Sequence, residues 1–252
     1  AWLERHGIDT ESVHVSELKH TARFLCTTDL EQSQIASFYA GAMEEAREIE
    51  LAPVASRVGR IELIVVSPND PTAMVRHTEE ARRFGIPFVA DPSQQLARIP
   101  GDDIRVLVDG AAYLVTNDYE RTLLEAKTGW THAEVLARVG VYVTTLGERG
   151  CVIERAGEPD IAVPAVPSTS MLDPTGVGDA FRAGFLTGRV WGLTFERAAQ
   201  VGCTLATLVL ESVGTQEYVV EPEPFLARMS AGYGQATAGE VAAFLPSAGP
   251  TS

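Results

Sequence analysis

Cysteine is scarce in this sequence. The three present, Cys26, Cys151 and Cys203, are odd in number, far apart and never in a C-x-x-C pair. This argues against a disulfide framework and fits free thiols in a reducing cytoplasm, the expected compartment. Histidine is scarce too. His6, His14, His20, His77 and His132 show no ligand spacing such as H-x-x-x-H, so a protein-held zinc site is not expected. No apolar run is long enough to cross a bilayer, and no membrane partner is expected. The opening residues A-W-L-E-R-H-G-I-D lack the basic-then-apolar order of a secretory signal. Positive charge is in deficit: 20 Lys and Arg stand against 34 Asp and Glu, a net charge of −14. A surface that coats nucleic acid needs the opposite sign to displace counterions from phosphates, so no nucleic-acid partner is expected.

The P-loop pattern G-x-x-x-x-G-K-[ST] is missing, as is the G-x-S-x-G elbow of esterases. What is present is ample apolar material: 45% of 252 residues, enough for one domain with a large core. Leu63–Val66, Pro87–Ala90, Tyr113–Thr116 and Val141–Thr145 read as buried strands, near-continuously apolar as parallel strands covered on both faces are. Helical patterns alternate with them over 71–84, 102–110, 118–127 and 131–137, which predicts an α/β sandwich with ligands beyond the carboxyl ends of the strands. Residues 11–39 alternate more, at Val13–Ser16 and Ala22–Thr27, and read as antiparallel strands of a small lid. Residues 151–164 read as a hairpin turning at Gly157–Asp160. Two long helices follow, over 177–190 and 194–211. The stretch 231–252, rich in Ala, Gly, Ser and Pro, reads as a disordered tail with at most a short helix near Glu240–Leu245. A single domain over 1–230 is therefore expected. The first six residues read as the last turns of an amphipathic helix stopped by Gly7.

One segment carries chemistry. Gly176-Val177-Gly178 precedes an apolar helical run. Glycines allow close backbone approach and positive φ. Amide hydrogens at a helix start are unpaired, and the dipole there favours an anion. Asp179, in the same turn, is placed to accept a proton from an attacking hydroxyl. The bland alternative is a glycine-rich turn with an adjoining aspartate, because short glycine motifs are weak signals. A dinucleotide fingerprint is disfavoured, since its third glycine would fall at Phe181.

The motif D-P-T-G-V-G-D-A-F resembles the D-T-x-G-A-G-D signature of the ribokinase-like (PfkB) kinases. Two more of that family's motifs follow its order. Asn117-Asp118-Tyr119-Glu120 matches N-x-x-E, and Thr145-Leu146-Gly147-Glu148-Arg149-Gly150 matches T-L-G-x-x-G. The resemblance implies a three-layer α/β/α fold with a mostly parallel sheet and ATP with Mg2+ as cofactors. It implies Asp179 as the catalytic base and Gly176, Val177 and Gly178 as an anion hole of backbone amides. It further implies that Glu120, with Asn117, organises magnesium through water. Thr145, Gly147 and Gly150 would serve the ATP, and the segment from Ala206 to Gly214 would border its base. For Asn117 and Glu120 the competing reading is a capping box opening a helix.

For the substrate, D-P-S-Q-Q stands at Asp91–Gln95, where many sugar kinases of the family carry D-x-N-x-R. Gln94 and Gln95 offer amides suited to a neutral heterocycle, whereas Arg suits an anionic or strongly polar sugar. Phe24 and Phe38, in the lid, are placed to stack on a base or to pack the lid itself. T-A-R-F, Q-I-A-S-F-Y, T-N-D-Y-E and K-T-G-W extend the likeness, which is greatest to bacterial adenosine kinases. Adenosine is thus the first expected substrate. A sugar kinase of the fructokinase or ribokinase kind, and a catalytically silent nucleotide-binding member, are the alternatives. Potassium as a further ion and a homodimer formed through the lid stay open. Full-length family members begin with a strand carrying a substrate-binding Asp, then a Gly-Gly motif and an Asn. None precedes Ala1, so the expectation is that this part of the site is missing from the chain.

Overall fold

The computed structural model describes residues 2–29 and 34–246. The chain divides into two compact units, Ala1–Val141 and Tyr142–Ser252.

The first unit opens with the short helix α1 (Trp2–Arg5), stopped at Gly7 with φ +72°. Residues Val13–Ser16, expected as a strand, form none. Ser16 instead makes a turn: its Oγ accepts from the amides of Leu18 (3.2 Å) and Lys19 (2.8 Å) and donates to Glu45 (3.0 Å). Val13 and Val15 are exposed, so their alternation faces no core. The second lid segment is as expected. Strands β1 (Arg23–Thr28) and β2 (Gln34–Tyr39) form an antiparallel pair in which Phe24 lies opposite Phe38. The segment Gly41–Glu48 is a 3₁₀ helix, and α2 (Leu51–Val58) follows; neither was expected.

The parallel core of this unit is β3 (Ile64–Val66), β4 (Phe88–Ala90) and β5 (Tyr113–Asn117), hydrogen-bonded in that order. Each strand feeds a helix. Asp70 caps α3 (Pro71–Arg83), its Oδ1 accepting from Ala73 N at 3.1 Å, with proline at the first helical position where no N–H is needed. After β4 come a 3₁₀ turn at Ser93–Ala97 and then α4 (Gly101–Val108). After β5 come α5 (Asp118–Thr128), closed by left-handed Gly129, and α6 (His132–Leu136), opened by a capping box of Thr131 and Glu134. Phe88, Val89, Ile104, Leu107, Leu114 and Leu124 are fully buried, as the apolar runs required.

In the second unit β6 (Val141–Thr145), β7 (Cys151–Glu154) and β8 (Ile161–Val163) are joined antiparallel. Helices α7 (Val177–Val190) and α8 (Phe195–Leu210) pack on each other and α8 on β7 and β8. Helix α9 (Pro222–Tyr233) follows, and α10 (Gln235–Ala242) corrects the expected disordered tail. Val241 and Ala238 are buried against Val201, Phe225 and Met229. Glu240 pairs with Arg197 (2.8 and 3.1 Å), and Phe244 stacks on Trp191 at 5.3 Å. Of the small residues that suggested disorder, Thr237 and Ala238 are buried in this packing. Burial outweighs the weak helix propensity of Gly239 and Thr237. Residues 247–252 lie outside the described residues.

Truncating the chain after Gly234 should therefore lower the urea midpoint of the second unit by the equivalent of about 2–4 kcal/mol, the scale of losing a buried valine and its packing. An unchanged midpoint would mean that 235–252 contributes nothing to the fold.

Candidate active site

The glycine segment is built from the end of α8 outward. The amides of Leu172 and Asp173 donate to Leu210 O at 2.9 and 3.3 Å, which fastens the approach to α7 onto the last turn of α8. Asp173 then turns the chain. Its Oδ1 accepts from Thr175 N (2.9 Å) and its Oδ2 from Gly214 N (3.2 Å). These donors, Thr175 first, hold its carboxyl below the ordinary aspartate value. Gly176 follows in the left-handed region, φ +85°, and a Cβ there would press on Thr215 at 3.1 Å. Both constraints require glycine.

Gly176 is the N-cap of α7 and has no side chain to satisfy the amides ahead of it. The Val177 amide reaches Pro174 O only at 3.4 Å, and Gly178 and Asp179 are exposed. The result is an open helix start with under-used donors, a surface that attracts an anion. Asp179 stands on the third residue of the helix with its side chain 77% exposed and ion-paired to Arg182 one turn on. The structure thus brings an exposed carboxylate and an uncapped helix start together in one turn. Arg182 was not singled out, although its i,i+3 spacing from Asp179 was readable.

The other residues expected at the ATP fall into two kinds. Thr145 ends β6, and Gly147 (φ +59°) faces open space, free to admit a ligand. Gly150 has a structural duty: a Cβ there would collide with the Val163 carbonyl and with Pro164 and Ala165, so its glycine is explained by packing. Ala206 is half-buried on α8, while Gly214 (φ +89°) gives its amide to Asp173.

A clamp that the sequence did not reveal holds this loop from behind. Glu211, 12% exposed, receives a two-pronged pair from Arg228 on α9 (3.0 and 2.6 Å), the Thr169 amide (2.7 Å) and the hydroxyls of Ser168 and Thr169 (both 3.1 Å). Burial alone would raise its pKa, but Arg228 and these donors outweigh it and hold the carboxyl at about 2. No spacing rule connects 169, 211 and 228, so only the fold discloses the cluster.

In the first unit the second group of expected residues comes together. Asn117 Oδ1 accepts from Glu120 N (2.7 Å) and Glu120 Oε2 accepts from Asn117 N (2.9 Å), a complete capping box at the carboxyl end of β5. The bland reading is thus geometrically true, and it leaves the carboxylate fixed at the strand end where ligands bind in such folds. Ser93 Oγ lies 3.2 Å from Glu120 Oε1 and 2.8 Å from Gln94 Oε1. The two glutamines do not present one joint edge. Gln94 is exposed, but Gln95 is 4% exposed and gives its Nε2 to Asn69 O (2.8 Å). Phe24 and Phe38 are exposed and cross-strand neighbours, so neither is spent on a core.

Magnesium is tested by the donors around Glu120. Each carboxylate oxygen already takes one donor from the chain, which leaves a lone pair on each for a metal-bound water. Among the described residues no three His, Cys, Asp or Glu side chains converge as a metal cage. A magnesium ion held by nucleotide phosphates and waters fits such a single carboxylate.

Comparison with known proteins agrees. The family model described as pfkB family carbohydrate kinase matches residues 1–222. The nucleoside kinase of Burkholderia thailandensis in complex with inosine is 33% identical, with a TM-score of 0.86 over 92% of this chain and 76% of that one. The same enzyme in complex with ADP-inosine gives 0.85, over 92% and 72%. The nucleoside kinases of Methanothermobacter thermautotrophicus and Methanocaldococcus jannaschii are 28% and 26% identical, over 92% and 85% of this chain and 74% and 69% of theirs. The family match and the fold define a kinase of ribokinase-like α/β architecture. The chain belongs to the pfkB carbohydrate kinase family.

Glu211 supplies a pH test with a definite sign. Its folded pKa lies below the usual glutamate value of 4.5, so its contribution is present above that pH and is lost as the pH falls from there toward about 2. Glu211→Gln should destabilise the chain at pH 6 by on the order of 3 kcal/mol. The gap between mutant and wild-type urea midpoints should narrow at pH 3; a gap independent of pH would contradict the clamp.

Proposed function

We propose that the chain transfers the γ-phosphoryl group of ATP to the 5′-hydroxyl of a purine nucleoside, with adenosine the first choice. The observation that carries this reading is the uncapped start of α7, where left-handed Gly176 opens a row of amides and Asp179 stands exposed beside them. The hydroxyl oxygen attacks the γ-phosphorus in line and its proton passes to the Asp179 carboxylate. The bond from the γ-phosphorus to the bridging oxygen breaks, and ADP leaves. Amides of residues 176 to 178 face the charge on the transferring group. Arg182 pairs with Asp179 Oδ1 and aims the carboxylate. Glu120, steadied by Asn117, would hold a magnesium ion through water, and that ion would supply charge neutralisation on the phosphates. Thr145 and Gly147 border the nucleotide, as does the segment from Ala206 to Gly214.

A nucleoside is favoured over a free sugar on two grounds. The relatives named above are nucleoside kinases, one solved with inosine and with ADP-inosine. And Gln95, not arginine, stands at the last position of the D-x-N-x-R pattern of sugar kinases, while the exposed amide of its neighbour Gln94 offers a donor and an acceptor to a heterocycle edge. Phe24 and Phe38 offer faces on which a base can stack.

Phosphorylation of adenosine, inosine, guanosine, ribose and fructose, followed by nucleotide release, tests the assignment. A nucleoside should lead the panel, and Asp179→Asn should cut turnover by roughly 10²–10⁴ with little change in ATP affinity. Preference for a free sugar refutes the substrate, and near-normal turnover in the mutant refutes the base. ATP binding with no product from any acceptor marks a silent nucleotide-binding protein.

A further inference from the structure

Ser93 is the single non-glycine residue with positive φ (+42°) among the described residues. A left-handed conformation is unfavourable for an L-residue, so surrounding contacts must impose it. They do. Asp91 N donates to Val66 O (3.0 Å), and Asp91 Oδ2 accepts from Ser67 Oγ (3.0 Å). Gln95 Nε2 holds Asn69 O, and Lys127 Nζ donates to the carbonyls of Leu96, Ala97 and Ile99 (2.7, 3.0 and 2.8 Å). Lys127 lies in the last turn of α5 and Glu120 in its first. The loop from 91 to 99 is therefore bound to α5 at one end by an ammonium and at the other by Ser93.

The hydroxyl of Ser93 has one proton and two neighbouring acceptors, Gln94 Oε1 at 2.8 Å and Glu120 Oε1 at 3.2 Å. The carboxylate, being charged, takes that proton. Turning the Gln94 amide by half a rotation puts Nε2 where Oε1 stands, and Gln94 then donates to Ser93 Oγ. With the amide so turned, the three side chains form a relay, Gln94 to Ser93 to Glu120. With the Asn117 amide on the other carboxylate oxygen, the relay fixes the plane of the Glu120 carboxylate.

Building on the proposed nucleoside kinase reading, we infer that Ser93 is a positioning residue that links the nucleoside-facing Gln94 to the magnesium-side Glu120. A nucleoside that engages Gln94 thereby changes how Glu120 is held. By linkage, magnesium then changes nucleoside affinity by the same factor.

Calorimetric titration of ADP at a series of MgCl2 concentrations, with and without adenosine, tests this without turnover. Ser93→Gly deletes the hydroxyl and also relieves the backbone. It should keep or raise the melting temperature while the Mg2+ needed for half-maximal ADP binding rises about 10-fold, the low end of the loss expected when the hydrogen-bond partner of a metal-side carboxylate is removed. The effect of adenosine on that Mg2+ requirement should vanish. Ser93→Ala should show the same Mg2+ shift. Ser93→Asn, which tolerates the left-handed region and restores a donor, should recover it. An unchanged Mg2+ requirement in Ser93→Gly overturns the inference, as does a shift that Asn fails to rescue. A mutant that merely melts earlier makes Ser93 a fold residue and also overturns it. Wild-type protein that binds neither ADP nor adenosine defeats the kinase reading itself, and is thereby told apart from a failure of Ser93 alone.

Discussion

The backbone contact between α7 and α8 is the constraint on which the second unit depends. A Cβ on Gly184 would stand 2.8 Å from Gly202 Cα, one on Gly188 2.7 Å from Ala198 Cα, and one on Gly202 2.7 Å from Phe181 O. Three glycines and an alanine let two helices touch main chain to main chain. Close-packed interiors do not yield continuously, so this contact fixes α7 along its length. Its first turn, with Gly178 and Asp179, is then an end of a held rod. The loop before it is fastened to the same helix pair, by Leu172 and Asp173 at Leu210 and by Glu211 at Ser168 and Thr169. An anion site made of amides works only if those amides are already aimed, because reorganisation would consume the binding energy. Helix contact and loop anchors together meet that demand.

The first unit solves the same problem with polar anchors. Glu120 is held through both oxygens, and the loop at 91–99 is strung between buried Asp91 and Lys127. Lys127 gives all three of its protons to carbonyls, which satisfies groups that a five-residue 3₁₀ turn leaves unpaired. Precision here costs little core volume, which suits a short loop at strand ends.

Much of this was legible in residues. Strand β6 and helix α7 lie where the apolar runs and flanking glycines set them, because buried parallel-type strands and a glycine-punctuated helix leave few alternatives. The capping box at Asn117 and Glu120 follows from spacing alone. The failures share one physical cause: local pattern misreads tertiary context. Val13 and Val15 alternate like a strand, yet no neighbour supplies a ladder and Ser16 closes a turn instead. Small residues after 231 imitate a disordered tail, yet Ala238 and Val241 are buried against Val201 and Met229 and hold α10 in place. Gln94 and Gln95 look like one amide edge, yet a 3₁₀ turn sends adjacent side chains apart. The strained φ of Ser93 and the joining of Glu211 to Arg228 have no sequence signal, since each depends on chain brought from elsewhere.

The charge balance bears on how such a chain holds a triphosphate. A net charge of −14 repels an anion at long range, yet salt screens charges beyond about 8 Å at physiological ionic strength. What decides binding is the field inside that distance. The helix start provides it within a single turn and needs no lysine. Asp173 spends its charge on the amides of Thr175 and Gly214, and Arg182 stands on the exposed carboxylate of Asp179. An unpaired carboxylate beside incoming phosphate would repel its own substrate. A carboxylate neutralised through Oδ1 keeps its second oxygen as a proton acceptor. The Asp179–Arg182 pair thus reconciles the two demands of the proposed reaction, a base that must be ionised and a pocket that must admit an anion.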